Sequence, residues 1–158
     1  MAAVKSLSKR LKSEHGAELI EFALVFPLLL LVLLGVVDFG ILFQRYEVLT
    51  NATREGARIA ILPGYVAADV SGRVCQYLTA GGVPTTGCPA APTNPSVTMV
   101  EWDIPVTGKP AVKGRKVTVA YDHNFMFIGP IIGILGGSWT NAKTITTEAI
   151  MRKEIAGP

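Results

Sequence analysis

The groups in this chain that could do chemistry are few: two histidines, two cysteines and twelve carboxylates in 158 residues. A metal site needs His, Cys or carboxylates clustered at ligand spacing. His15 and His123 stand far apart with no second ligand nearby, and His123 reads as a polar loop residue after a strand. No phosphate-binding glycine loop, dinucleotide fingerprint or nucleophile elbow occurs, and the glycines from Gly129 to Gly137 are flanked by apolar residues. Asn51-Ala52-Thr53 matches a glycosylation sequon but falls inside a helical pattern. No catalytic residue, metal or cofactor is expected, and the chain does not read as an enzyme. Cys75 and Cys88 either form one disulfide or remain two buried thiols, and the compartment decides which. What remains is the chemistry of charge beside an apolar phase, carried by Glu21 and Asp38.

Those two acids bracket an uncharged run from Phe22 to Val37. On a helix they lie roughly 26 Å apart, close to a hydrocarbon core of about 30 Å. Both therefore read as marking the edges of a membrane. A buried helix of a soluble domain would show a polar stripe, and none is present. No small-residue cleavage site follows the run, where the residues are Gly35-Val36-Val37-Asp38-Phe39-Gly40, so it is not a conventional cleaved signal. Pro27 removes one backbone donor inside it and is expected to kink the helix.

Four segments follow from this. Residues 1–16 are a basic leader, 17–43 a transmembrane segment, 44–62 an extension of the same helix in water, and 65–158 a small α+β domain. Lys5, Lys9, Arg10 and Lys12 precede the run, which keeps the N-terminus cytoplasmic and exports the rest. Outside the cytoplasm, a Cys75–Cys88 disulfide is the expected state. Closing that loop adds about 3 kcal/mol in the chain-entropy model. The formal net charge of +3 is accounted for by the leader, and the remaining chain is balanced. A neutral body carries no phosphate-neutralising stripe, so no nucleic-acid partner is expected.

In the extension, Ala52, Gly56 and Ala60 form a small-residue line at i, i+4 and i+8, a face for close packing against the sheet or a neighbouring helix. Leu49, Ile59 and Ile61 add larger apolar surface, and Pro63-Gly64 stops the helix. Beyond it, residues 66–80 read as a second helix carrying Cys75, and residues 81–95 as a Gly/Pro/Thr-rich loop carrying Cys88. Three strands are expected at 96–104, 116–121 and 143–151, forming a roughly three-stranded antiparallel sheet. Val100, Trp102 and Ile104, with Val117, Val119 and Tyr121, form the faces expected to pack on the long helix. The apolar segment from Phe125 to Gly137 is too short to span a bilayer. It is expected to lie as a loop over the sheet, with dipping into a membrane surface or meeting a neighbouring subunit as alternatives.

Gly16, then Ala17-Glu18-Leu19-Ile20, then Glu21-Phe22 ahead of the apolar run, resembles a type IV prepilin processing site. Joined to Pro27, Asp38-Phe39-Gly40 and Asn51-Ala52-Thr53-Arg54-Glu55-Gly56-Ala57-Arg58, it looks like the TadE-like family, minor pseudopilins of the tight-adherence (Flp) pilus. The resemblance covers about residues 16–60. It implies cleavage between Gly16 and Ala17 by a prepilin peptidase, which makes Glu21 the fifth residue of the mature chain. Glu21, Phe22 and Pro27 would then belong to a helix-packing surface, with Glu21 neutralising a neighbour's new α-amino group in a low-dielectric bundle. A carboxylate near a helix N-terminus is also favoured by the macrodipole alone. The implied role is structural, in assembly, initiation or capping of the pilus. Its implied partners are other pilin-like subunits, an inner-membrane assembly platform with its ATPase, and the lipid bilayer. The alternative is an anchored periplasmic or surface binding domain that never polymerises.

Overall fold

The computed structural model describes residues 14–89, 92–134 and 142–153. The leader up to residue 13, the last three residues of the Phe125–Gly137 segment and residues 154–158 lie outside the described residues. The chain is α+β: α1 (Glu14–Ala60), α2 (Ala67–Ala80), β1 (Ser96–Val106), β2 (Lys109–Asn124), α3 (Ile128–Ile134) and β3 (Ala142–Arg152). The strands form an antiparallel sheet of order β1-β2-β3.

The first helix runs unbroken for 47 residues, through Pro27, a length of about 70 Å. Its two halves have different surroundings. The large side chains from Leu19 to Leu33 of the apolar run are exposed, whereas Leu49, Ala52, Thr53, Ala57 and Ala60 are buried. Residues 52, 53, 56, 57 and 60 fall on one face at helical spacing. There α2 and the sheet approach closely: a Cβ on Gly56 would lie 2.7 Å from Val74 Cγ2. The Thr53 hydroxyl donates to the Leu49 carbonyl at 2.8 Å and meets the Thr147 hydroxyl at 2.5 Å. Since the Thr53 proton is already committed, Thr147 donates, and β3 is tied to the helix through buried, satisfied groups.

The helix ends at Ala60, three residues before Pro63-Gly64. Arg115 on β2 explains the early stop, since its guanidinium donates to the Ala60 carbonyl at 2.5 Å and the Tyr65 carbonyl at 3.2 Å. Carbonyls left without partners at the helix end are thus satisfied by a side chain from the sheet. At the start of α2, the Asp69 carboxylate accepts from the Val66 N–H at 2.9 Å. Cys75 and Cys88 are bonded, with Cα atoms 5.7 Å apart, and this fastens α2 to the loop before β1. Asn94 pins the far end of that loop, giving its amide to the Asp122 carbonyl and accepting from the Asp122 N–H.

The sheet corrects two expectations. β1 turns its other face to the core: Val97 and Met99 pack inward opposite Val119 and Val117, while Val100 and Trp102 are 49% and 41% exposed. Trp102 instead lies under the Lys116 ammonium, 4.9 Å from its ring centre, on the open face. The second strand is also far longer than 116–121, because residues 109–115 pair with β1 in a hairpin turned at Gly108, whose φ is +72°. The register shift between Ile104 and Val106 falls at Pro105, which has no N–H to donate. Val117, Val119 and Tyr121 do face the helix and are buried.

Gly56→Leu tests this packing. With no space for a Cβ against Val74, the variant should lose about 1–3 kcal/mol or more of stability. A thermal or denaturant midpoint equal to the parent's would mean the close approach is not needed.

Candidate functional site

Two features of α1 carry functional weight: its uncovered apolar half and the polar cluster where that half meets the domain. Gly16 lies partly covered in the first turns, and Ala17, Glu21, Phe22 and Pro27 are exposed. Phe22 and Phe26 stack with ring centres 5.3 Å apart. Glu21 makes no hydrogen bond or ion pair among the described residues. These positions share one exposed stretch of helix, and among the described residues no other element reaches them.

Asp38, at the end of the uncharged run, is turned into the protein rather than toward solvent. It is 1% exposed. Its carboxylate accepts three backbone N–H bonds, from Met126 at 3.1 Å, Phe127 at 2.9 Å and Ile128 at 2.8 Å. It therefore hooks the strand-to-helix connection after β2 onto α1. Phe125 packs edge-on against Phe39, with centroids 6.2 Å apart. The apolar Phe125 segment accordingly does not cover the sheet, and α3 lies beside α1 instead. With Asp38 covered, the outward surface of α1 is uncharged from Phe22 to Phe43, about 33 Å along the axis. That span matches a hydrocarbon core more fully than the run ending at Val37 does.

Above the hook, Arg45 donates to His123 Nδ1 at 2.9 Å. His123 is not a loop residue: it belongs to β2 and is 1% exposed. Because Nδ1 accepts, the ring proton sits on Nε2, which has no partner among the described residues. Phe125 stands edge-on to the imidazole at 5.0 Å, and Lys143 is its cross-strand neighbour. Burial first, then the Arg45 charge, hold the His123 pKa below its ordinary 6.5, with Asp38 opposing them. The alternation 117, 119, 121, extended by one step, would have found this residue. No sequence signal identifies the partners of Asp38, which are backbone groups far along the chain.

Among the described residues, no group of three or more His, Cys, Asp or Glu is placed to hold a metal ion. The arrangement joins an apolar helix to a folded domain through the Asp38 hook and the Arg45–His123 contact.

This geometry defines a class: a small domain seated on the distal half of one long helix, whose proximal half is long and apolar enough to cross a membrane. Within that class, residues 16–58 match the model of the TadE-like protein family. The match holds the exposed anchor, Asp38, and the small-residue seat as far as Ala57, and it stops before α2. No curated protein and no solved structure matches the chain.

Two outcomes follow. The unfolded chain takes up a proton near pH 6.5 that folded His123 refuses. Its contribution to stability is therefore complete above about pH 6.5 and falls as pH drops toward the depressed folded value. The parent should lose more stability between about pH 7.5 and pH 5 than His123→Gln does, and parallel profiles would rule this out. Asp38→Leu leaves three N–H groups without an acceptor, at about 1–3 kcal/mol each. Amide exchange at residues 126–128 should then accelerate markedly, and unchanged protection would show that the hook is dispensable.

Proposed function

We propose that the chain is a pilin-like structural subunit, a minor pseudopilin of a tight-adherence pilus machine. It is held in the inner membrane with its N-terminus cytoplasmic and its α+β domain outside. The observation that carries this reading is the uncovered apolar half of α1, none of which is buried within one copy. Such a surface needs lipid or other apolar helices around it, and the family match at residues 16–58 supplies a context in which it has both.

In this reading a prepilin peptidase cuts between Gly16 and Ala17, and the new α-amino group enters a bundle of pilin-like helices. A neighbour's Glu21 neutralises it, while Phe22 and Pro27 shape the packing surface. The assembly platform in the inner membrane completes the set of partners. The segments then divide as leader 1–16, span 17–43, extension 44–62, whose helix ends at Ala60, and domain 65–158. Ala52, Gly56 and Ala60 serve the domain rather than the bundle, since α2 and the sheet already fill that face.

Gly16→Leu should give a longer, unprocessed chain that still inserts, because a peptidase site selective for glycine admits no Cβ. Glu21→Ala should insert normally yet fail to co-purify with other pilin-like subunits. Breaking a buried ion pair costs on the order of 3–5 kcal/mol, enough to weaken association a hundredfold or more. Intact mass and co-purification from membranes read both effects. Normal processing and normal co-purification in both variants would leave an anchored, non-polymerising domain as the function.

A further inference from the structure

We propose that the segment from Phe125 to Ile134 is a second membrane-inserted element, which dips into the outer leaflet beside α1 and binds lipid acyl chains. Three observations place it there. The Asp38 hook fixes residues 126–128 at the level of position 38 on the long helix. At that level Ile128, Ile131 and Ile132 of α3 share a groove with the anchor that reaches from Leu31 through Gly35 and Phe39 to Phe43. Leu31 lies about 10 Å below Asp38 along the axis, well inside the uncharged run. The groove measures about 660 Å³ and is lined only by apolar side chains and glycine, and Met126, two residues before Ile128, is 62% exposed.

The backbone points the same way. In water, the first N–H groups of a short helix are satisfied by solvent; in hydrocarbon they must find a partner within the protein. Here Met126, Phe127 and Ile128 all donate to one buried carboxylate, and the Ile131 N–H bonds to the Phe127 carbonyl. The segment carries no charged side chain. Two cations, Arg45 and Lys143, lie on the domain side of it: Arg45 holds His123, and exposed Lys143 pairs across the sheet with the same residue. A cation at that height suits the phosphate level of a bilayer whose hydrocarbon begins at Phe43. Lipid is favoured over a second copy because the groove is continuous with the lipid-facing half of α1 and shares its depth.

This inference rests on the membrane anchor alone and not on pilus assembly, so it stands or falls separately. The test uses the full chain in nanodiscs holding one copy each. Gly133→Cys carries a nitroxide, since a Cβ there meets nothing within 4 Å. Leu33→Cys and Thr146→Cys serve as controls on the anchor and on the open sheet face, and an intact Cys75–Cys88 bond and unchanged thermal midpoint verify each fold. Collision with oxygen, which partitions into lipid, is compared with collision with a water-soluble nickel chelate. The oxygen-to-nickel ratio at Gly133 should be several-fold above that at Thr146 and close to that at Leu33. A water-like ratio at Gly133 with a lipid-like ratio at Leu33 would overturn the inference while leaving the anchor in place. Protection of Gly133 from both reagents would overturn it as well, showing that protein covers the segment. A water-like ratio at Leu33 would overturn the anchor itself, and the inference with it.

Discussion

A single uninterrupted helix has to satisfy two solvents, and the rest of the molecule is arranged around that constraint. From Phe22 to Phe43 its outward surface suits hydrocarbon. From Leu49 to Ala60 the same helix supplies one wall of a water-facing domain core. The change of environment takes place within two turns, and the polar groups there are used with economy. Asp38 is turned inward and saturated by three N–H donors. Arg45 is engaged by a neutral imidazole rather than by a counter-ion. A carboxylate or guanidinium without hydrogen-bond partners would be costly on the apolar side of this boundary.

The domain seat is built by removing bulk rather than adding it. Ala52, Thr53, Gly56, Ala57 and Ala60 let α2 and the sheet approach the helix backbone, and Val70, Val74, Val117 and Val119 fill the space this leaves. A core of this size is small, and covalent and polar fastenings extend it. The disulfide holds α2 to its loop, and Asn94 holds that loop to β2. Arg115 closes the helix end, while Glu101 at 3.2 Å steadies the guanidinium from β1. Pairs such as Glu55 with Arg73 lie at the surface, where ion pairs contribute little.

The organisation was legible wherever a local pattern carried it. The apolar run, the long helix, α2 and the inward face of β2 all follow from spacing, and the Cys75–Cys88 bond follows from the compartment that the apolar run implies. What escaped was decided by pairing over distance. β1 is apolar on both faces, with Val97 and Met99 on one side and Val100, Trp102 and Ile104 on the other, so alternation alone could not choose between them. Register against Val117 and Val119 chose the first set. Residues 109–115 hold Pro110, Gly114 and three cations, which hid a strand that exists because β1 lies opposite. Asp38 read as a boundary because its neighbours in sequence are apolar; its true partners are main-chain groups some ninety residues on, and main-chain groups leave no trace in composition. At the candidate site, the Gly16–Glu21 pattern was visible from residue types alone, whereas the contact between α1 and α3 was not.

Asp38, Arg45, Leu49, Ala52, Gly56 and Ala60 recur at steps of seven, four and three, so they lie on one narrow meridian of α1. The hook and the seat therefore share a common azimuth, and the helix between them acts as a torsion bar with no hinge. Each residue contributes about 1.5 Å of height and about 100° of rotation. One residue more or fewer between positions 38 and 49 would swing the domain about a quarter-turn away from α3, whereas a change of seven would restore the phase to within about 20°. The spacing of this stretch thus sets the bearing of the domain around its anchor, as well as its height above the membrane.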